Sequence, residues 1–170
     1  MRVPIAILAL ATLISSAAAV RAQEKKDYLS DTEADKIREA QTPSAKMVLF
    51  VAFADDRIAK LKYSLAHPGT DRRRGEQLNA LINAYTGCID DAADVIDVAR
   101  EHQQDIKVGL KALSTRAKEN LAYLQELQKS GAELDSYKET LDDAVEATQD
   151  ALTDAEKAAK DISAPVRRKQ

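Results

Sequence analysis

The sequence predicts an all-α fold: an antiparallel up-down helical bundle of three to four long helices plus a short N-terminal helix. Three observations predict it. Apolar residues recur at spacings of three and four from Met47 to Ile162, the period of a single helical face. Much of the apolar content is Ala, with Leu, Val and Ile behind it, and the 170 residues hold only five Gly, four Pro, two Phe and no Trp, a mix that favours helix over strand. The clear stop signals, His67-Pro68-Gly69 and Ser130-Gly131, lie far apart and leave room for long helices.

The chain opens with Met1-Arg2, an apolar stretch from Ile5 to Ile14 interrupted only by Thr12, and Val20-Arg21-Ala22. That is the order of a secretory signal peptide: a positive n-region, an apolar h-region and a small-residue cleavage site. Residues 1–22 are therefore expected to be removed, with cleavage after Ala22 and Ala19 as the alternative. The apolar run is too short to span a bilayer, which takes about 20 residues. The processed chain is expected in the periplasm or outside the cell, touching a membrane only while the leader is still attached. Losing Arg2 and Arg21, and no acid, moves the formal net charge from −3 to −5. A mildly acidic domain is a poor match for nucleic acid, which calls for a basic face.

Residues 23–29 are polar and read as a flexible segment. Ser30-Asp31-Thr32-Glu33 then fits a capping box that starts a short helix ending near Gln41. Thr42-Pro43 starts the next, with Thr42 as cap and Pro43 in the first turn, where its missing N–H costs nothing. Met47, Phe50, Ala54, Ile58, Leu61 and Leu65 form its stripe, and His67-Pro68-Gly69-Thr70 ends it. A third helix is expected from Thr70 or Asp71, with Leu78, Leu81 or Ile82, Tyr85, Cys88 or Ile89, Ala92, Val95 or Ile96, and Ala99 facing inward. Its pattern resumes at Ile106 and runs to Leu127. Unbroken, residues 71–129 would make a rod of roughly 90 Å, too long for a domain of this size. A break near His102–Asp105 is expected, although no Pro or Gly marks it. Ser130-Gly131 is a stop in which glycine is free to turn left-handed. The last helix carries Leu134, Tyr137, Leu141, Ala144, Thr148, Leu152, Ala155, Ala159 and Ile162, and Pro165 ends it. Residues 30–163 make one bundle domain, and 164–170 form a basic tail.

Candidate sites are few. Met47 to Ala54 is apolar on every side of two helical turns, so it is either buried all round or turned toward another molecule. In the second case Phe50, Phe53 and Met47 are the expected anchors of a protein partner or of self-association, since aromatics dominate contact energetics. Arg72, Arg73 and Arg74 put three cations at a helix N-terminus against its dipole, a candidate anion site whose alternative is a solvated turn. The pairs Asp55-Asp56, Asp90-Asp91 and Asp142-Asp143 lack the closely spaced oxygens and glycine turn of a calcium loop, so no metal is expected. Asp56 is expected to pair with Lys60 along its helix. Cys88 is the sole cysteine. It reads as a small buried hydrophobe, or, if exposed, as an intermolecular disulfide partner.

Phosphate loops, nucleophile elbows, zinc-protease motifs and EF-hands are absent. His67 and His102 lack the neighbours of a di-iron bundle, and no cofactor is expected. The sequence thus reads as an exported, non-enzymatic interaction or structural protein of the bacterial cell envelope. The alternative is a periplasmic carrier holding a small apolar or anionic ligand in the bundle core, with Arg72–Arg74 near its charged end.

Overall fold

A computed structural model describes residues 28–163. The expected leader at 1–22, residues 23–27 of the polar segment and the basic tail 164–170 lie outside the described residues. Among the described residues the chain forms five α-helices and no strand: α1 (Asp31–Glu39), α2 (Pro43–Ala66), α3 (Arg74–Glu101), α4 (Lys107–Ser130) and α5 (Lys138–Ser163). None is long and apolar enough to cross a membrane.

Helix starts follow local chemistry. The Ser30 hydroxyl accepts the Glu33 amide, and the Glu33 carboxylate accepts the Ser30 amide at 2.9 Å, the reciprocal bonds of a capping box. Thr42 accepts the Ala45 amide at 3.1 Å, with Pro43 in the first turn. α3 begins later than expected. Asp71 captures the Arg73 amide at 2.9 Å and holds residues 71–73 as a turn, so the helix starts only at Arg74.

α3 and α4 are separate helices. The stop needs no glycine because Gln103 itself takes the left-handed conformation, at φ 53°. Its amide bonds the Arg100 carbonyl at 3.2 Å and the Gln104 amide the Ala99 carbonyl at 2.8 Å. That is the bond pair of a Schellman motif built on a side chain that dislikes the turn. At Gly131 the expectation of a left-handed glycine is corrected: its φ is −63°. Glycine is required there for space, because a Cβ would lie 2.5 Å from the Leu127 carbonyl oxygen and 2.6 Å from the Tyr137 hydroxyl. The left-handed residue is Glu133, φ 58°. A single 3-10 turn, Leu134–Ser136, follows it, so Leu134 and Tyr137 precede α5 rather than belong to it.

Each long helix has two principal neighbours: α2 packs on α3 and α4, and α5 packs on the same two, while α1 lies on α2. The rule that a short link leaves consecutive helices side by side holds for α2–α3 and α4–α5. It does not hold for α3–α4, which are not principal neighbours. Five linking residues reach about 16 Å, enough to step past an adjacent position. Cross-helix pairs rise together along α3 and α5: Asn79 with Thr140, Tyr85 with Thr148, Arg100 with Asp161. Along α2 and α4 the pairs are Ser44 with Gly109 and Asp55 with Arg116 and Asn120.

The stripes of α2 to α5 merge into one core that includes Met47, Phe50, Ile58, Leu61, Ile82, Ile89, Ile96, Leu113 and Leu124. α5 contributes mostly small groups: Ala144, Ala151, Ala155 and Ala158 are buried. Ala159 and Ile162, expected inside, are exposed. A polar contact between Tyr85 and Thr148 at the centre is satisfied. Thr148 gives its proton to the Ala144 carbonyl at 2.6 Å, so the Tyr85 hydroxyl must donate to Thr148, at 2.9 Å. Burial pushes the Tyr85 hydroxyl well above its usual range, which keeps that proton in place.

The Gln103 turn supplies a test. Gln103→Gly removes the side-chain cost of a left-handed residue and is expected to stabilise the chain by about 1 kcal/mol, raising the melting temperature by roughly 3 °C in calorimetry.

Candidate functional site

The region where α1 and the residues just before it meet α2 and α3 holds a dense polar cluster. Arg57 comes from the fourth turn of α2, on the side covered by α1. Its side chain is 8% exposed. Its two terminal nitrogens donate to the two Glu33 oxygens at 2.7 Å each, a bidentate pair, and further bonds go to Asp56 at 2.8 Å and the Tyr28 carbonyl at 3.0 Å. Glu33 therefore caps α1 and anchors it at once. The bond from Arg57 is the largest influence on its carboxyl, which is held down at about 2 from an ordinary 4.5 although burial works the other way.

Tyr28 completes the anchor. Its hydroxyl donates to Asp91, a carboxylate only 7% exposed on α3. Its ring lies over Gly87, where a Cβ would come within 2.7 Å of the ring. Burial, helped by the negative charges around it, raises the Tyr28 hydroxyl well above its usual range, so it stays a donor. Tyr28 and Leu29 pack against the core. The expectation that the segment 23–29 is loose is corrected at these two residues: an aromatic ring finds a glycine-made seat. α1 itself has no buried residue. Polar bonds and the Tyr28 ring, rather than an apolar stripe, hold it down.

Beside this anchor, α1 and the first turns of α2 leave two open grooves. One, of about 420 Å³, is lined by Ile37, Pro43, Lys46, Phe50, Asp91 and Val98 among others. The other, of about 790 Å³, lies on the opposite flank of α2 and has Val48, Leu49 and Val108 among its lining residues. Their size is that of ligand or peptide sites.

The expected anchors fall differently. Met47, Phe50 and Phe53 are 0%, 5% and 8% exposed. As surface anchors they are corrected: helical geometry turns these three toward α3 and α4, and only the edge of Phe50 reaches a groove. The outward residues of the same apolar segment are Val48, at 38% exposed, and Ala52, with Leu49 half-buried. The arginine triplet is not one site. Arg74 is engaged, its Nε shared by both Glu133 oxygens at 2.8 Å and a terminal nitrogen on the Ser64 carbonyl at 2.7 Å, so it ties α2 to the turn before α5. Arg72 and Arg73 are exposed in the preceding turn.

Cys88 is fully buried, as a small core hydrophobe would be, so the exposure that an intermolecular disulfide requires is absent. The acid pairs are spread among separate partners. Asp56 meets Lys60 at 2.7 Å as expected, Asp55 accepts from Arg116 and Asn120, and Asp142 accepts from Lys138 and Gln128. Among the described residues no group of His, Cys, Asp and Glu is placed to hold a metal. His67 stacks on Tyr63 at 4.2 Å, and His102 is exposed at the end of α3. Sequence reasoning missed Tyr28, Arg57 and Asp91. The one available signal was an arginine, Arg57, lying one residue before the core position Ile58.

The anchor can be tested by pH and by substitution. A depressed carboxyl stabilises the fold above its unfolded value, and that contribution disappears as pH falls through the folded one. Stability measured by urea unfolding is therefore expected to decline between pH 4.5 and about 2, and Glu33→Gln to remove that part of the slope. Arg57→Ala at neutral pH should cost about 3 kcal/mol, because it strands a carboxylate that keeps little water.

No family model, no curated protein and no solved structure matches this chain, so its role rests on its own residues.

Proposed function

We propose that the chain is an exported, non-enzymatic protein of the bacterial cell envelope. It is folded as an antiparallel up-down bundle and works by binding another polypeptide. The short links suit alternating directions, and the paired residues that rise together make α2 with α4, and α3 with α5, parallel neighbours, as helices two apart in such an alternation are. The observation that carries the binding role is the outer flank of the apolar segment. Val48 and Leu49 sit with Val108, which is 71% exposed, in the open groove of about 790 Å³ between the first turns of α2 and α4. Large side chains left in water at the lip of a groove are the mark of a contact surface. An amphipathic helix, from a second copy or another protein, fits such a groove. The core behind it is tightly filled, which suits a rigid platform more than a reaction chamber.

A second reading is favoured by the groove beneath α1. Its volume of about 420 Å³ and its mix of Ile37, Phe50 and Val98 with Lys46 would suit a small ligand with an apolar body and an anionic end. That places a carried ligand beside the core rather than inside it, and Lys46 instead of Arg72–Arg74 at its charged end.

Native mass spectrometry of the protein purified from its own host separates the two. A second polypeptide is expected, its own copy or another, and Val48→Asp combined with Val108→Asp should remove it. Those exposed substitutions should shift stability by no more than about 0.5 kcal/mol. Phe50→Asp, by contrast, buries an unpaired charge and should unfold the chain. A bare monomer overturns the binding role, and a small-molecule adduct favours the second reading.

A further inference from the structure

Among the described residues the large hydrophobic side chains left exposed are Val48, Tyr63, Val98, Val108 and Ile162. All but Tyr63 lie toward one end of the molecule, where the first turns of α2 and α4 meet the last turns of α3 and α5. The Ser44–Gly109 and Arg100–Asp161 bonds tie the helices together there. At the α4–α5 edge of this end a hollow of about 250 Å³ is lined by Lys107, Leu110, Lys111, Ser114, Ala159 and Ile162. Lys160 is exposed two residues before Ile162. No ion pair among the described residues engages Lys107, Lys111 or Lys160, whereas the nearby acid Asp161 is taken by Arg100 at 2.7 Å. Two of these cations stand in the first turns of α4, against its dipole, with no acid in that turn. Beyond Ser163 the sequence continues with Arg167, Arg168 and Lys169.

We propose that this α4–α5 edge docks on an anionic phospholipid bilayer, with Lys107, Lys111 and Lys160 at the headgroup phosphates and Ile162 entering the interface. Charge decides the occupant. A chain acidic overall concentrates unpaired cations, beside the exposed Ile162, on one edge of one end. Lysine near an anionic membrane is worth about 1 kcal/mol, and aliphatic side chains beside it add burial in the headgroup region. The sequence reading allowed membrane contact only through an uncleaved leader, whereas this edge belongs to the processed domain. The proposal is independent of the polypeptide groove at Val48.

The test is co-sedimentation of the processed chain with vesicles of phosphatidylcholine alone or mixed with phosphatidylglycerol. Binding is expected only to the mixed vesicles, weakening as salt rises. Lys107→Glu with Lys111→Glu should weaken it by at least about tenfold, Ile162→Asp should weaken it further, and Lys129→Glu, at the far end of α4, should leave it unchanged. Circular dichroism confirms that each variant stays helical. Failure of the unaltered chain to bind mixed vesicles overturns the proposal, as does equal binding to neutral vesicles. Loss of binding on removing residues 164–170, with none on reversing Lys107 and Lys111, also overturns it by assigning the contact to the tail alone. Concentration-dependent dimers blocked by the same lysine reversals, without vesicle binding, would assign the edge to a protein contact instead.

Discussion

α2 cannot be satisfied by one neighbour. Its apolar residues occupy more than a single stripe, so Phe53 and Ile58, Met47 and Leu61 must all be covered, and covering them takes α3 on one side and α4 on the other. Once α3 and α4 are committed to α2, they are held apart from each other, and the space between their remaining stripes is what α5 fills. With no disulfide in the chain, this mutual covering is the stabilising force. The Ala-rich inner face of α5 follows from it. The last helix enters a gap already framed by larger side chains, and Ala144, Ala151, Ala155 and Ala158 let it come close.

α1 obeys a different rule. It brings no buried side chain of its own, so polar geometry has to hold it. A bidentate arginine–carboxylate pair suits that task because it fixes orientation as well as position. Glu33 serves the helix start and the anchor with the same two oxygens, which couples the local folding of α1 to its docking. A buried ion pair is weak as a source of stability but strict as a source of specificity. The grooves on either side of α1 exist because this attachment leaves the first turns of α2 partly uncovered.

Much of this was legible in the residues. Ser30 with Glu33 and Thr42 with Pro43 gave the first two helix starts, because caps are local chemistry. The stripe spacing gave the four long helices, and the polar interval after Arg100 gave the break between α3 and α4. What stayed hidden depends on distance along the chain or on small angles. Gln103 carries no sign that it will turn left-handed, and Gly131 looked like a conformational stop when its purpose is room for Tyr137. Which side of Met47–Ala54 faces water depends on where α3 and α4 sit, and the bare apolar run holds no record of that. The partners of Arg57 and Tyr28 lie 24 and 63 residues away, beyond any periodicity argument.

The separation of α3 from α4 has a kinetic side. In most small helical proteins each new helix can fold back on the one just made, so contacts are local and closure is fast. Here the ties that cross the core, such as Asn79 to Thr140, Tyr85 to Thr148 and Asp55 to Arg116, each span about sixty residues. No hairpin of α3 with α4 is available as an early nucleus. The α2–α3 hairpin can close early, but the faces that α5 covers stay open until the last helix is present. The core is therefore completed only when the whole length from α2 to α5 is present at once.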